Sequence, residues 1–481
     1  MIIKRGMVIM NKTINIAPTS RVEGHGKVSL QLNESGELID ARFHVMEFRG
    51  FEKFCQGRKV WEMPRITTRA CGICPISHHL ASAKACDDLF GVQIPLTAQL
   101  TRELLHMGQI VHSHALHFYY LAAPDFLFPG LEAKRNVLGV NEKSPDLVKQ
   151  AIELRKMGQE SNQIIGGKAI HPVTALPGGI SKPLTHEEVQ TLKGYFQRAL
   201  DLSLSGLSLA KNIFDDNREF ILNYANLNTN FLGLVKKGKM EMYDGNLRLI
   251  NPHGETLEEF NPSSYLEHIG ERTEDWSWLK FPFYKKQGWP DGIYRVGPLA
   301  RINAADEIST PKANELLHEF REKYGRYPGH TLLFHYARLI ETVYAAERAL
   351  EILDDSNLIT NNFRQKLKIQ GGEGVGVIEA PRGTLIHHYE ADDTGSITKA
   401  NLIVSTIGNN PSMNQAVLEV AKDHIKGGEE ELSEEVFNRI EMAIRAHDPC
   451  LSCATHAIGQ MPLHCTVYNH EGKKVSEHVK D

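Results

Sequence analysis

Cysteine is scarce in this chain, with seven among 481 residues, an odd number. A secreted scaffold held together by disulfides uses cysteine more densely and in pairs, so that class of protein is not indicated. Positive charge is not in excess, because 54 lysines and arginines stand against 59 aspartates and glutamates, for a net charge of −5. This balance argues against a protein that binds nucleic acid.

Long apolar runs are also absent. No run approaches the length that a membrane-spanning helix requires, and residues 1–20 contain no cleavage site typical of a signal peptide. The expected compartment is therefore the cytoplasm, with no membrane insertion, although a partner subunit could carry an export signal. Internal repeats and a clear linker are missing too, while 41% of the residues are apolar. One large interwoven domain is expected rather than several.

Hydrophobic periodicity predicts a mainly helical chain with β segments, an α+β fold. Residues 13–48 alternate with period two around the turn-like "NESGEL", which predicts a small N-terminal antiparallel sheet. A helical period predicts long helices at residues 73–123, 145–165, 185–226, 311–354 and 412–446. Strands and loops are predicted at residues 227–300, and hairpins at residues 371–410.

Two Cys-x-x-Cys pairs stand near opposite ends of the chain. Cys71 and Cys74 lie in "RACGICPISHH", and Cys450 and Cys453 lie in "DPCLSCATH". Such pairs in a cytosolic chain indicate metal or redox chemistry, and thiolates suit zinc, nickel, copper(I) and iron–sulfur clusters. The first pair precedes a predicted helix, whose N-terminus favours the thiolate form. We expect the two pairs to meet across the domain.

A structural zinc site with four cysteines is the simplest interpretation, and an iron–sulfur or thiol redox site is the next. The spacing is unusual for zinc, because 376 positions separate Cys74 from Cys450. Both pairs also have ionisable neighbours that a closed structural site does not need. These neighbours are Arg69, His78, Asp448 and His456.

The two cysteine motifs resemble the metal-binding signatures of the nickel–iron hydrogenase large subunit. Further stretches resemble that family in matching order along nearly the whole chain: "SRVEGHGKV", "MEFRGFEKFCQGR", "SHALHFYYLAAPDF", "LPGGIS", "SWLKFPF", "EAPRGTL" and "NLIVSTIGNNPSMNQAV". The resemblance implies that family's fold, with long central helices around the site. It also implies a catalytic subunit that reversibly cleaves dihydrogen heterolytically into protons and electrons.

The resemblance assigns nickel to the four cysteines of the two pairs, with Cys74 and Cys453 bridging to an iron that carries carbon monoxide and cyanide. Arg382 would direct its guanidinium at the iron side, where its planar donors suit cyanide. The hydroxyl of Ser405 or Thr406 would donate to a cyanide, and the sequence leaves the choice between them open.

Other roles follow from the same resemblance. His78 would hydrogen-bond a cysteine sulfur, and Asp448 would lie close to the open metal position. Glu23 would be the first carboxylate of a proton relay, although an Arg21–Glu23 surface pair is a plain alternative. Glu52 would bind magnesium.

His456 would be the second magnesium ligand, and Arg49 would be a structural charge near Glu52. Some positions depart from the family. Ser113 and His114 stand where many membrane-bound members of the family have Asp-His, and His447 stands where tyrosine is frequent. The histidines at 112, 114 and 117 are interpreted as helix-face or core residues rather than ligands.

The resemblance divides the chain into a catalytic domain, residues 1–456, and a C-terminal peptide, residues 457–481. A maturation endopeptidase would remove the peptide after nickel insertion. An ordinary C-terminal strand is the alternative, because "PLHCTVY" alternates.

The chain lacks cysteines for a relay of iron–sulfur clusters, so electrons would leave through an iron–sulfur small subunit. "AIELRK", "HPVTALPGGIS" and "GWPDGIYRVGPLARINAAD" most resemble the methyl-viologen-reducing type, which delivers electrons to heterodisulfide reductase. An NAD-linked bidirectional hydrogenase with a diaphorase partner is the alternative within the family, and a four-cysteine zinc protein is the alternative outside it.

Overall fold

The computed structural model of the chain describes residues 12–48, 50–131, 134–425, 433–454, 463–468 and 474–480. Its α-helices are α1 Phe51–Cys55, α2 Met63–Ile66, α3 Pro75–Leu89, α4 Leu96–Ala115, α5 Ala123–Leu127, α6 Val137–Lys143, α7 Pro145–Gly166, α8 His186–Asp216, α9 Arg218–Leu222, α10 Tyr265–His268, α11 Pro298–Ala304, α12 Pro311–Tyr324, α13 Leu333–Asp354, α14 Ser405–His424, α15 Glu434–Ala446 and α16 Leu451–Ala454.

The strands form several small sheets around these helices. They are β1 Lys12–Ile16, β2 Gly26–Leu32, β3 Leu38–Val45, β4 Ala175–Leu176, β5 Gly179–Ile180, β6 Asn230–Lys236, β7 Lys239–Met240, β8 Asn246–Ile250, β9 Thr256–Phe260, β10 Ile269–Arg272, β11 Phe281–Tyr284, β12 Tyr294–Arg295, β13 Glu307–Ile308, β14 Gly372–Ala380, β15 Gly383–Ala391, β16 Ile397–Ile403, β17 Leu463–Tyr468 and β18 Lys474–Lys480.

The predicted N-terminal sheet is present as β1–β2–β3, all antiparallel. Its inward side chains, such as Val28, Leu30 and Phe43, are buried, as period-two alternation requires. The mixed region at 227–300 supplies most of a larger sheet in the order β13–β7–β6–β8–β9, with β12 beside β6. The α+β class is therefore confirmed.

Long helices form the centre of the molecule. α4 packs against α7 and α13, and α13 packs against α8. Thr185 and Glu188 form a capping box that begins α8, because each side chain accepts from the backbone of the other. Among the described helices, none is both long and apolar enough to cross a membrane.

Several predicted helices are interrupted. The predicted helix at 73–123 is broken between Leu89 and Leu96, where Pro95 precedes α4, and a π-helical turn at Leu116–Ala122 follows α4. The predicted helix at 185–226 ends near Leu222 and has a break at Asn217. The predicted helix at 311–354 has an eight-residue gap between α12 and α13.

The hairpin prediction at 371–410 is correct only for its first part. β14, β15 and β16 form an antiparallel sheet, but α14 already begins at Ser405. The alternating "NLIV" therefore ends in a helix N-terminus rather than in another hairpin. This turn from strand to helix matters for the site, because it carries Ser405 and Thr406.

Candidate metal centre

Four cysteine sulfurs converge in the interior of the molecule. The Sγ of Cys450 lies 3.2 Å from that of Cys71 and 3.0 Å from that of Cys453. The Sγ of Cys74 lies 3.3 Å from that of Cys453. All four side chains are buried, and their sulfurs lie within 4.8 Å of one another. The predicted meeting of the two pairs is confirmed, and the separations suit a shared metal site.

The first pair is presented by the turn before α3. Cys74 is the residue before the first helical position, which is occupied by Pro75. The backbone N–H of Ile73 points at the Sγ of Cys71, 3.1 Å away. The N-terminus of α3 and the N–H of Ile73 both favour negative charge on the sulfurs.

The second pair follows α15. The backbone at Asp448 has a φ of 53° and turns the chain towards α16, which carries Cys453. The N–H of Cys450 donates to the hydroxyl of Thr406 at 2.8 Å, and the N–H of Leu451 donates to the carbonyl of Glu23 at 3.1 Å. The start of α14 and the N-terminal segment thus hold the second pair in place.

The four sulfurs differ in acidity. Hydrogen bonds from Cys450, Cys453 and Cys74 hold the pKa of Cys71 well below its ordinary value. Burial raises the pKa values of Cys450 and Cys453 well above theirs. The set therefore favours a thiolate among neutral thiols, and a bound cation would displace the remaining protons because the thiolate is the ligating form.

A small cavity of about 10 Å³ adjoins Cys74 and Cys450. Its other lining residues are Ser77, His78, Ala380, Pro381, Arg382, Leu385, Val404, Ser405 and Thr406. Two buried donors there, the Ser77 hydroxyl and the Arg382 Nε, make no hydrogen bond to any residue that the structure describes. Because an unsatisfied buried donor is costly, a small acceptor in the cavity would relieve both.

Arg382 lies at the turn between β14 and β15 and is buried. Its Nη2 donates to Asp448 Oδ1 at 3.1 Å, and Arg338 Nη1 donates to Asp448 Oδ2 at 3.4 Å. Although burial opposes the charge, Asp448 and the cysteines raise the pKa of Arg382 well above its ordinary value. Burial raises the pKa of Asp448, and the two guanidiniums work against that rise. The wall beside the sulfurs is therefore strongly cationic.

The two hydroxyls at the start of α14 have different partners. Ser405 Oγ donates its proton to the carbonyl of Gly383 at 2.7 Å. Thr406 Oγ1 accepts from the backbone of Cys450, so its own proton is not used in that bond. The Ser113 hydroxyl lies 3.5 Å from Arg382 Nη1.

His78 contacts the sulfur set. Its Nε2 lies 3.3 Å from Cys453 Sγ, and its Nδ1 lies 3.1 Å from His387 Nε2. His387 Nδ1 lies 2.6 Å from the Tyr389 hydroxyl, which donates to Ser82 at 2.9 Å. This buried chain fixes the orientation of the His78 ring.

Glu23 lies beside the second cysteine pair rather than in a surface ion pair. Its carboxylate accepts from the hydroxyl of Ser452 at 2.5 Å and from the backbone of Ser452 at 3.1 Å. Arg21 instead pairs with Asp125 and donates to Asn438 at 2.9 Å. The alternative of an Arg21–Glu23 pair does not agree with these partners.

The expected magnesium ligands are only partly described. Glu52 accepts from the backbone N–H of Leu402 at 2.8 Å, and Lys280 Nζ lies 3.7 Å from its carboxylate. His456 and Arg49 lie outside the described residues.

The other histidines behave as core residues. His114 lies 2.9 Å from Glu341, and burial lowers the pKa of His114 to about 3. His117 Nε2 donates to the carbonyl of Arg445 at 2.8 Å, and the ring stacks on His335. Burial also lowers the pKa of His112 to about 4. His447 contacts the carbonyl of Ala443 at 2.9 Å.

Sequence reasoning missed several residues next to the centre. Arg338, which holds Asp448, lies on a helix whose period predicts only a core face. Ser452 stands between the two cysteines of its motif, so its position was a usable signal. His387 and Tyr389 lie two residues apart on β15, and this spacing places them on one face of the strand.

Comparison with known proteins gives a consistent result. A family model described as nickel-dependent hydrogenase matches residues 49–134 and 233–456, and a model described as HoxL-like matches residues 13–48. An F420-non-reducing hydrogenase subunit of Methanothermobacter thermautotrophicus is 47% identical over 469 residues, covering 96% of this chain and 99% of that protein. The NAD-reducing hydrogenase HoxS subunit beta of Cupriavidus necator is 42% identical over 490 residues, covering 98% and 100%.

Comparison of this fold with solved structures agrees with the sequence comparisons. A crystal structure of an NAD+-reducing [NiFe]-hydrogenase in the H2-reduced state superimposes with a TM-score of 0.89 at 44% identity. The match covers 92% of this chain and 99% of the other. The expected long central helices and small N-terminal sheet are therefore those of a known architecture.

Proposed function

The chain belongs to the nickel-dependent hydrogenase family and is the catalytic subunit of a nickel–iron hydrogenase, and from this we propose how its residues serve that activity. Cys71, Cys74, Cys450 and Cys453 would hold nickel, with Cys74 and Cys453 shared with iron. The observation that carries the proposal is the convergence of four buried sulfurs beside a cavity with unsatisfied donors.

Carbon monoxide and cyanide on the iron would occupy the cavity next to Cys74. The residues present suit these ligands, because cyanide nitrogen accepts hydrogen bonds and the wall offers Arg382 Nε and the Ser77 hydroxyl. Thr406 is favoured over Ser405 as a further donor, since the Ser405 proton is engaged by Gly383. Apolar Leu385 and Val404 would surround carbon monoxide.

When bound, the nickel–iron centre supplies the redox-active site at which dihydrogen is split heterolytically and reversibly. The chain contributes the surroundings. Arg382, held by Asp448, would place positive charge next to the anionic centre. Burial of the whole site excludes bulk water and strengthens these interactions.

Glu23 would accept the proton that leaves the centre. Its carboxylate lies at the backbone of the second cysteine motif, with Ser452 donating to it. A carboxylate in this half-buried position can receive a proton and pass it on towards solvent.

Magnesium would be held by Glu52 and His456. The surroundings of Glu52 are rich in oxygen, because Glu271 Oε1 and Asn401 Oδ1 lie 3.3 Å and 3.1 Å from the same Lys280 ammonium that approaches Glu52. Hard oxygen donors of this kind suit magnesium.

Residues 1–456 would form the mature catalytic domain, and an endopeptidase would remove residues 457–481 after nickel insertion. The peptide contains the antiparallel pair β17–β18. A fully metallated, active preparation that still ends at Asp481 would overturn this part of the proposal.

Electrons would leave through an iron–sulfur small subunit. Seven cysteines include four at the proposed centre, while Cys55 and Cys86 are free and buried. Too few remain for a cluster relay within this chain. The acceptor would be a heterodisulfide reductase in a cytoplasmic complex, and relatives named F420-non-reducing support an acceptor other than F420. An NAD-linked complex is the second candidate, because a relative of 42% identity is NAD-reducing.

The deciding experiment is expression with the maturation machinery, followed by metal analysis and intact mass. About one nickel and one iron per chain, with a mass that ends at His456, are expected. Cys453→Ser is the matched control and should lose nickel and keep the tail. Zinc alone, with an intact tail despite working maturation factors, would instead favour the four-cysteine zinc site.

A further inference from the structure

A second group of ligating side chains lies at the open end of the β14–β15 hairpin. Glu373 and Glu390 stand opposite each other across the two strands, and His388 precedes Glu390 by two residues and so shares its face. One ligating atom from each of the three side chains can be chosen so that all lie within 4.8 Å of one another. Arg382 occupies the closed end of the same hairpin, so this group is separate from the cysteine centre.

His388 is the unusual member of the group. Its side chain is only 3% exposed, yet its Nε2 makes no hydrogen bond within the described part of the chain. Glu373 Oε1 lies 2.6 Å from that nitrogen, but out of line for a hydrogen bond. A buried imidazole nitrogen without a hydrogen bond, next to two carboxylates whose ligating atoms lie this close, is a set that can share one cation.

The other ring nitrogen is already engaged. His388 Nδ1 lies 2.9 Å from the hydroxyl of Tyr265, which accepts from Asn401 at the same distance. If Nδ1 carries the proton towards Tyr265, Nε2 keeps the lone pair that a metal ligand needs. An oriented histidine with an outer hydrogen-bond partner is usual at metal sites.

The nearby charges leave room for a cation. Lys399 Nζ lies 2.8 Å from Glu390 Oε1, but the side chains of this pair are 60% and 38% exposed. An ion pair at such exposure is weak and readily exchanged. Glu373 is 60% exposed as well, so solvent can complete the coordination.

We propose that Glu373, His388 and Glu390 form a site for a first-row divalent cation of borderline character, with Zn2+ as the expected occupant. One imidazole nitrogen and two carboxylates suit zinc, which takes nitrogen ligands more readily than magnesium or calcium does. The ion would link β14 to β15 at the open end of their hairpin. Arg382 lies at the turn that closes the other end.

Cobalt(II) binding to the full-length chain, measured under anaerobic conditions, tests the site. The apo chain is loaded with Co2+, passed through metal-free buffer, and examined by metal analysis and absorption. Thiolate-bound cobalt absorbs strongly in the near ultraviolet, while nitrogen and oxygen ligands give only weak visible bands. The wild type should retain one equivalent more cobalt than Glu373→Gln and Glu390→Gln, with the same thiolate absorption in all three, and Zn2+ should displace that equivalent.

His388→Gln should lose the same equivalent, and His253→Gln, which changes an exposed histidine elsewhere, should keep it. If His388→Gln does not fold, the two exposed-side glutamate variants decide the matter. Equal cobalt in the wild type and both glutamate variants, or no displacement by Zn2+, would overturn the proposal. The thiolate absorption reports separately on the cysteine centre.

Discussion

At the residue scale, the main feature is positive charge placed against thiolates. Two buried guanidiniums, Arg382 and Arg338, share the carboxylate of Asp448. Removing one partner of such a buried set costs about 3–5 kcal/mol, because the remaining charge is left without compensation. An anionic metal centre would balance the excess positive charge, which gives the arginines a function beyond packing.

Glu23 is the first residue to test. Glu23→Gln keeps the shape and can still accept one of the two bonds from Ser452, but it removes the proton acceptor. Hydrogen-dependent viologen reduction should fall on the order of 10²-fold, the usual size of a lost acid–base group, while nickel content stays normal. Glu34→Gln, in the exposed turn after β2, is the control. Unchanged turnover in Glu23→Gln would exclude the proton role.

Infrared spectroscopy can distinguish the roles of the Ser405 and Thr406 hydroxyls, which line the cavity beside the cysteines. Thr406→Val removes a donor whose proton is not used in the bond to Cys450, so a cyanide stretching band should shift. Ser405→Ala should move the bands less, because that hydroxyl donates to Gly383. Larger shifts in Ser405→Ala than in Thr406→Val would reverse the assignment.

At the element scale, the contact between α3 and β14 sets the distance between the first cysteine pair and Arg382. Glycine makes this contact possible. A Cβ at Gly376 would lie 2.0 Å from the carbonyl oxygen of Ala81 and 2.4 Å from the nitrogen of Ala85. Because these are backbone atoms, neither can move without moving the helix.

Gly376→Ala should therefore lower the free energy of unfolding by about 1–3 kcal/mol, the usual cost of overpacking. It should also reduce nickel retention. Gly194→Ala is the matched control, because a Cβ there meets nothing within 4 Å and alanine favours the helix. Urea unfolding and metal analysis of both variants measure the effect. Equal stability of the two variants would show that the contact is not tight.

At the scale of the whole molecule, many titratable side chains are buried in uncharged form. Burial lowers the pKa values of His79 and His106 to about 4 and that of His114 to about 3. In the unfolded chain these imidazoles would take up protons below their ordinary value of 6.5. The unfolded state thus binds more protons in this window, so the free energy of unfolding falls as the pH drops from about 6.5 towards 4.

His79→Gln tests this dependence. The folded ring is satisfied as a neutral group, with Nδ1 donating to Pro64 at 2.7 Å and Nε2 accepting from Ala175 at 2.9 Å. The variant should lose up to about 1.4 kcal/mol of the pH dependence per pH unit in that window. Urea midpoints measured from pH 7.5 to 4.5, with His253→Gln as control, provide the measurement. If the free energy of unfolding of His79→Gln falls with pH as steeply as that of the wild type, the lowered pKa of His79 is contradicted.

Local patterns were enough for much of the fold. The alternation around "NESGEL" predicted β2 and β3, and helical periodicity predicted α7 to within one residue at its end. It also predicted the helical character of α8 and α13, but continued α8 too far and joined α12 to α13. The breaks were harder, because the interruption before Pro95 and the start of α14 at Ser405 depend on packing against other elements. The short β14–β16 sheet was anticipated, but its last strand was continued too far.

The sequence by itself determined the ligand set and the class of chemistry, because two Cys-x-x-Cys pairs with ionisable neighbours resemble one family's signatures. Only the tertiary structure decided how these parts meet. Cys74 and Cys450 come together because α3 and α14 both pack on β15 and α14 contacts α16. Asp448 meets Arg338 across 110 positions. Hydrophobic periodicity predicts which face of a helix is buried. It does not predict which distant polar group that face contacts, because the contact depends on how whole elements pack.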